Sequence, residues 1–293
     1  MASEKVFHVK HAKISAPFGT QRRNFPCIFF CRHEIQSVAE NKVESVTFKG
    51  KVAIVTGAAS GMGAATAREF AATGGEVVIV DRNAPLAASV ANEINAAPPL
   101  VGDVSDKNFC EQVIQTALER HNRLDILVNA AGIIVRADAV HTSDEQWQRV
   151  MNVNVNGLFF MSRAAVSHMK KIGRGVIVNF GSIWGSVGAT GVVAYCASKG
   201  AVHQITRAMA LDHVKDGIRI NAVCPGEVNT PMIASERSEP VTAELMQRLA
   251  ETVPLGRLAD PVEIARVVLF LASDAASYIT GTLVNVDAGY TAR

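Results

Sequence analysis

The sequence predicts an α/β domain built on a doubly wound parallel sheet with helices on both faces. Two observations carry this. From about Phe48 onward, short β-branched runs alternate with longer, Ala-rich stretches of helical character, and a parallel pair of strands needs such a crossover between them. The runs are also strongly apolar, as strands covered on both faces are. Right-handed crossovers then distribute the helices over the two sides. With 48% hydrophobic residues, a large core is easily supplied.

The first run, VAIVTG (52–57), leads into Thr56-Gly57-Ala58-Ala59-Ser60-Gly61-Met62-Gly63 and a helix around Ala64–Ala72. A phosphate needs bare backbone N–H groups and room to approach them. Glycines at the turn provide both, and the helix N-terminus adds positive potential. The spacing is G-x-x-x-G-x-G, and the strand before and helix after are the context a dinucleotide site requires. The expected fold is therefore Rossmann-type, with Gly57, Ser60, Gly61, Met62 and Gly63 at the cofactor.

The second run, EVVIVD (76–81), ends on Asp81. A carboxylate there accepts both hydroxyls of an adenosine ribose and repels a 2′-phosphate, which favours NAD over NADP. Arg82 pulls the other way, since a guanidinium can pair with that phosphate, but no basic residue occupies Ala58–Ser60. After a third, short strand, Asp103 and Val104 are placed at the adenine, Asp103 on its amine and Val104 on its face. A plain helix N-cap is the competing reading for Asp103.

The runs LDILVNAAG (124–132) and GVIVNFGS (175–182) follow, the latter closing on Ser182. Tyr195 and Lys199 then fall four residues apart, on one face of a helix. A free tyrosine has a pKa of about 10 and is a poor base at neutral pH; a nearby ammonium favours the phenolate. Such a tyrosine takes a proton from an alcohol as hydride leaves, or returns it to a carbonyl. Ser182 can hold the substrate oxygen. The amide of Asn154 can support a water that links Lys199 to solvent. The last runs are IRINAVCPG (218–226) and TLVNVDAG (282–289).

These pieces occur in a fixed order: TGAASGMG (56–63), Asp81, DV (103–104), NAAG (129–132), Asn154, Ser182, YCASK (195–199) and PGEVNTPM (225–232). In that order the chain resembles the short-chain dehydrogenase/reductase family of the roughly 250-residue type, over residues 49–290. The resemblance implies that Tyr195 is the general acid/base. It implies that Lys199 binds the nicotinamide ribose and lowers the tyrosine pKa, that Ser182 orients substrate, and that Asn154 completes a proton relay. Alignment on Gly157-Leu158-Phe159 selects Asn154 over Asn152 and Asn156. It further implies that Asn129 and Gly132 steady the central strand and line the cofactor cleft, a purely structural strand-to-strand bond being the alternative for Asn129. Pro225 and Gly226 begin the loop over the nicotinamide, Val228 holds the carboxamide through its backbone, and Thr230 reaches the carboxamide or the pyrophosphate. NAAG for the commoner NNAG, and Asp287-Ala288-Gly289 for a frequent Asp-Gly-Gly, are departures away from the chemistry.

Thr230–Pro254 is polar and not strand-like, and reads as a lid with its tip at Ser235–Pro240. Trp184 is expected to wall the substrate pocket, with Ile134 and Val193 beside it. The substrate expected is a small, partly apolar secondary alcohol or ketone, a polyol or ring alcohol among them. An NADP-dependent 3-oxoacyl-thioester reductase is the rival enzyme, and a non-catalytic dinucleotide sensor the rival from another class. The Ala- and Met-rich helix Ala201–Val214 suggests burial against further subunits, and the family resemblance implies a homotetramer.

Net charge is +2, which gives no reason to expect a nucleic-acid partner. No apolar run reaches the roughly 18 residues of a membrane span. Five scattered cysteines suit reduced thiols and a cytoplasmic location. No metal site is expected; Cys27, Cys31 and His33 lack a second ligand pair. Residues 1–47 carry no βα rhythm. Through Arg32 their charges are basic except Glu4. A disordered extension or an upstream start is the expectation, with organelle targeting as the alternative. The codons GTG-TTT-CAC-GTG-AAA-CAT would encode Val6–His11 and contain a palindrome similar to a bacterial chromosome-partitioning site. Deleting residues 1–47 is expected to leave an active enzyme.

Overall fold

The computed structural model describes residues 46–237 and 240–292. The expected extension and its Cys27, Cys31 and His33 lie outside the described residues, apart from Val46 and Thr47.

The chain alternates strand and helix as expected. β1 (Val52–Thr56), α1 (Gly61–Ala72), β2 (Glu76–Asp81), α2 (Ala84–Glu93), the short β3 (Leu100–Val101) and α3 (Lys107–His121) form one half. β4 (Ile126–Asn129), α4 (Asp144–Met151), α5 (Leu158–Ile172), β5 (Gly175–Phe180), α6 (Val193–His213) and β6 (Ile218–Pro225) follow. α7 (Ala243–Thr252), α8 (Pro261–Ala272) and β7 (Leu283–Val286) complete the domain. All seven strands are parallel, in the order β3-β2-β1-β4-β5-β6-β7.

Successive side chains of a strand point to opposite faces, and here both faces are apolar. Val55, Ile79, Val128, Val178 and Val223 pack with Ala64, Ala67 and Phe70 of α1 and with Ile264, Val268 and Leu271 of α8. Ile54, Val80, Leu127, Ile177 and Ile220 pack on the other face with Val113 and Ala117 of α3 and Met161, Ala165 and Met169 of α5. The core begins at Phe48, whose ring meets Phe70 edge-on at 4.6 Å.

The helix ends follow their local chemistry. α4 and α8 start with capping boxes, Ser143 with Gln146 and Asp260 with Glu263, and α8 adds Pro261 at its first position. α5 ends on Gly173 at φ +68°, the left-handed stop that favours glycine. The winding reverses between β1 and β4, so a crevice opens beyond their carboxyl ends, where ligands bind in such sheets.

Candidate active site

A cleft of about 470 Å³ lies at that reversal point. Gly57 and Gly61 are left-handed, at φ +67° and +53°. A Cβ on Gly57 would lie 2.7 Å from the Ala131 backbone, and one on Gly63 would lie 2.1 Å from the Gly57 carbonyl oxygen. Only glycine lets α1 approach the turn this closely. Ser60 is the N-cap of α1, and its side chain makes no capping bond. Thr56 anchors the turn: its hydroxyl accepts from the N–H groups of Ala130 and Ala131, each at 3.2 Å. Bare N–H groups at a helix start beside a side-chain-free turn fit a pyrophosphate. Gly57, Ser60, Gly61, Met62 and Gly63 all line the cleft.

Asp81 sits at the carboxyl end of β2. Its Oδ2 accepts from the Ala59 N–H at 3.0 Å and its Oδ1 from the Asn83 N–H at 2.9 Å. The carboxylate is thereby fixed at the cleft wall with lone pairs to spare for a ribose. Arg82 is exposed and lines the same cleft. Asp103 and Val104 line it too. Asp103 is not the cap of α3; that role falls to Asp106. Asp103 instead accepts from the Ser105 N–H at 2.8 Å. Val104 is buried because Gly157 makes room, a Cβ there falling 2.7 Å from the valine Cγ2.

The Tyr195–Lys199 pair lies on α6, as the four-residue spacing predicts, and both side chains are buried. Lys199 Nζ donates to the Phe180 carbonyl at 2.7 Å, at the end of the strand that carries Ser182. Burial pushes its ammonium down to about 8. Burial also pushes the Tyr195 phenol up to about 12, and the hydrogen bond with Ser182 pulls it back in part. Lys199 Nζ stands 5.5 Å from the Tyr195 ring centroid, close enough for its positive charge to favour the phenolate.

Asn154 lies in a π-helical turn, Asn152–Gly157, between α4 and α5. Its Oδ1 accepts from the Ile133 N–H at 2.8 Å, and its Nδ2 donates to the Ile133 carbonyl at 2.9 Å and to Ser198 Oγ at 3.0 Å. Both amide hydrogens are thus committed. The second lone pair of Oδ1 stays open to a water. A Cβ on Gly132 would lie 3.4 Å from that Oδ1 and 3.6 Å from Lys199 Nζ, so the bare Gly132 leaves the space where the two groups meet.

Asn129 steadies the centre of the sheet. Its Nδ2 donates to Ser162 Oγ and to Asn179 Oδ1, each at 2.9 Å, and Asn179 in turn donates to Thr206. This buried chain ties β4 to β5, α5 and α6. Its strand-to-strand role is the one realised.

Beyond β6, the Gly226 N–H donates to the Val286 carbonyl at 3.1 Å, and a Cβ on Gly226 would lie 3.0 Å from Asp287 Cα. Pro225 closes β6 against Val286. Val228 forms a parallel bridge with Ala259 that uses the carbonyl of Glu227 and the N–H of Asn229. Its own N–H and C=O point the other way. Thr230 lies over the glycine turn, its Cγ2 3.4 Å from a Cβ on Gly61, which favours the pyrophosphate end over the carboxamide. Trp184 stands edge-on to Tyr195 at 6.1 Å. With it pack Ile134, Met232 and Val192; the expected Val193 is exposed instead, because α6 turns it outward. The lid carries a short turn at Pro231–Ile233 and α7, and its expected tip includes residues 238–239, outside the described residues.

Sequence reasoning missed His203. It lies one turn beyond Lys199 on α6, buried between Gly181 and Gly185, where a Cβ would fall 2.7 Å and 2.6 Å from its ring. The Ser182 N–H donates to its Nε2 at 3.5 Å, with Cys224 Sγ 3.3 Å from the same nitrogen and Ser186 Oγ 3.3 Å from Nδ1. Burial, with Lys199 and Arg207 nearby, pushes it down to about 4. The neutral ring accepts at Nε2, which places its proton on Nδ1. The only signal in the sequence was the continued spacing 195, 199, 203. Arg136, on the loop after β4, was also missed.

Among the described residues no group of His, Cys, Asp or Glu is arranged to hold a metal ion, and no helix is long and apolar enough to cross a membrane.

A bare glycine turn opening a helix, a carboxylate fixed at the end of β2 and a buried tyrosine–lysine pair on α6, all carried by a doubly wound sheet, are features that suit a dinucleotide-dependent oxidoreductase. The family model described as enoyl-(acyl carrier protein) reductase matches residues 57–291. The chain is 42% identical over 247 residues to meso-2,3-butanediol dehydrogenase of Serratia marcescens, covering 84% of this chain and 96% of that one. It is 44% identical over 246 residues to galactitol 2-dehydrogenase (L-tagatose-forming) of Cereibacter sphaeroides, covering 83% and 95%. The solved 3-ketoacyl-(acyl-carrier-protein) reductase from Brucella melitensis, complexed with NADH, aligns with a TM-score of 0.78 at 34% identity, over 84% of this chain and 100% of that one. The chain belongs to the short-chain dehydrogenase/reductase family.

Proposed function

We propose that the protein interconverts small secondary alcohols and ketones with NAD as the preferred cofactor. The observation that carries this is the buried Tyr195, one helical turn from the buried Lys199 on α6, with the buried Ser182 hydroxyl just past the end of β5. A proton donor and acceptor beside a second hydroxyl suits a C–O bond that changes oxidation state.

The glycine turn would hold the pyrophosphate, Asp81 the adenosine ribose, Asp103 and Val104 the adenine, and the free backbone of Val228 the carboxamide. Bound NAD supplies the hydride acceptor. Ser182 positions the substrate oxygen and stabilises the charge that grows there. Tyr195 takes the alcohol proton in oxidation and returns it in reduction. Lys199 has two donors beyond its bond to Phe180, enough for a ribose and a water bordering Asn154 Oδ1. With the phenol near 12 and protonated at neutral pH, reduction has its donor in place, whereas oxidation speeds up as pH rises.

Asp81 favours NAD over NADP, against the pull of Arg82. It also argues against an NADP-dependent 3-oxoacyl-thioester reductase; the solved 3-ketoacyl reductase that resembles this chain is complexed with NADH, so substrate as well as cofactor has to be tested. The intact Ser182, Tyr195 and Lys199 argue against a non-catalytic sensor. Leu211 on α6, 78% exposed, and Val214 beside it, 47% exposed, support a homotetramer formed through this helix; light scattering reads its mass directly. The free thiols Cys110, Cys196 and Cys224 support a reducing, cytoplasmic location.

A panel of alcohols, ketones and 3-oxoacyl thioesters, offered with NAD(H) and NADP(H) and read at the nicotinamide absorbance, tests the proposal. Turnover of secondary alcohols with NAD is expected. Preference for NADPH would overturn the cofactor assignment, and activity confined to thioesters would overturn the substrate class.

A further inference from the structure

The lid crosses the cleft from one wall to the other. The sheet order puts β1 and β2, with the glycine turn and Asp81 at their carboxyl ends, on one side of the reversal point, and β4, which leads to α4, on the other. Thr230 begins the crossing over the glycine turn, its Cγ2 3.4 Å from a Cβ on Gly61. Pro231, Met232, Ser235 and Glu236 continue it, and all of them line the cleft. The crossing ends on α4, where Arg149 Nη2 donates to Glu236 Oε1 at 2.8 Å. Arg149 lines the cleft as well.

The lid's own backbone does not hold it there. Between Thr230 and Arg237 regular structure is limited to the single turn Pro231–Ile233, so closure depends on side chains that reach in from elsewhere. Arg136, on the loop after β4, supplies one tether: its Nε donates to the Ser235 carbonyl at 3.1 Å and its Nη2 to the Met232 carbonyl at 3.4 Å. Arg149 takes the next residue along. Glu236 stands at φ +57°, a left-handed conformation that a residue with a side chain keeps only where its surroundings impose it. The ion pair thus fixes the lid at a point where the chain's own preference opposes it.

The two tethers differ in kind. Arg136 is half-buried and bonds backbone carbonyls. Arg149 and Glu236 meet through side chains that are 47% and 37% exposed. A pair so open to water adds little to the stability of the fold, and water replaces either partner readily. Such a contact is suited to breaking and re-forming while the protein stays folded.

We propose that Arg149 and Glu236 form a latch that holds the lid down over a bound dinucleotide and slows its exit. This rests on the cofactor placement given above. A dinucleotide reaching from Asp81 and Asp103 to Tyr195 passes beneath the crossing, and the lid has to lift from α4 to let it go. Lid opening of this kind sets the rate of product release in many enzymes.

The test follows release of NADH from the full chain by stopped flow, with excess NAD as the trap and nicotinamide fluorescence as the signal. Arg149→Met keeps the aliphatic stem and Glu236→Gln keeps the shape. Each should speed release about two- to fivefold. The double variant should be no faster than either single one, because both remove the same contact. Salt screens an exposed pair, so release from the wild type should speed up with ionic strength and the variants should lose most of that response. The glutamine variant separates a latch from a plain field effect. Glu236 repels the cofactor's phosphates, so without a latch its neutralisation would make NADH leave more slowly. Slower or unchanged release from Glu236→Gln, or single effects that add in the double variant, would overturn the latch and leave the cofactor placement standing. A wild-type protein that bound no NADH would overturn both.

Discussion

The two edges of the sheet bury polar side chains equally well and use them in opposite ways. At the amino edge, Asp125 precedes β4 and is 7% exposed. Its Oδ2 accepts from the Val52 N–H at 2.9 Å, and Arg123 forks onto both oxygens at 2.8 and 2.6 Å. Burial opposes its ionisation, but Arg123 and Val52 outweigh burial and hold the carboxyl below its usual range. At the carboxyl edge, Tyr195, Lys199 and His203 are as deeply buried, and each is driven toward its neutral form. Where a forked guanidinium and a backbone N–H engage both oxygens, a buried charge is structural. Where hydrogen-bonding capacity is left over, burial sets protonation and the group is ready for chemistry.

The sharpest way to break this contrast is at the tyrosine. Tyr195→Phe removes the spare hydroxyl and keeps the ring that packs on Trp184 and Ile134. Turnover should fall by about a hundred- to ten-thousandfold, with NAD affinity, read by fluorescence titration, nearly unchanged. A variant that kept most of its activity would remove Tyr195 from the proton transfer.

At the other edge the expected loss is in stability. Asp125→Ala leaves the Val52 N–H and the Arg123 guanidinium without their acceptor, at a cost of about 2–3 kcal/mol. The sign with pH is defined. The folded carboxyl titrates below the unfolded value of about 3.9, so its contribution is complete above that value and fades as pH falls through the lower, folded one. Urea melts at pH 7 and pH 3 should therefore show the wild type and the variant converging in acid. A gap that stayed constant would assign the loss to packing alone.

The same contrast explains what could be read from the chain before folding. The six longer strands, the glycine turn and the Tyr195–Lys199 face are local patterns of continuous apolar runs, of backbone freedom and of one helical turn, and all are where the sequence places them. Asn129 was ambiguous because its partners, Ser162 and Asn179, come from elements far along the chain. The commitment of the Asn154 amide to Ile133 and Ser198 is likewise a tertiary fact. Val192 and Val193 cannot be told apart until the first turn of α6 is set against Ile134.

His203 shows the limit most clearly, and carries the smallest of the expected effects. Its spacing from Lys199 was visible, but its place depends on bare Gly181 and Gly185 and on Cys224 arriving from β6. As a positioning residue it acts through the backbone of Ser182. His203→Leu fills a similar volume but removes the acceptor for the Ser182 N–H, so kcat should fall about tenfold with little change in NAD binding. His203→Gln, which can still accept there, should recover most of the loss. That rescue separates a held hydrogen bond from simple packing. If leucine and glutamine behave alike, the ring only fills space, and Ser182 owes its position to β5 and the Trp184 N–H that donates to its hydroxyl at 3.2 Å.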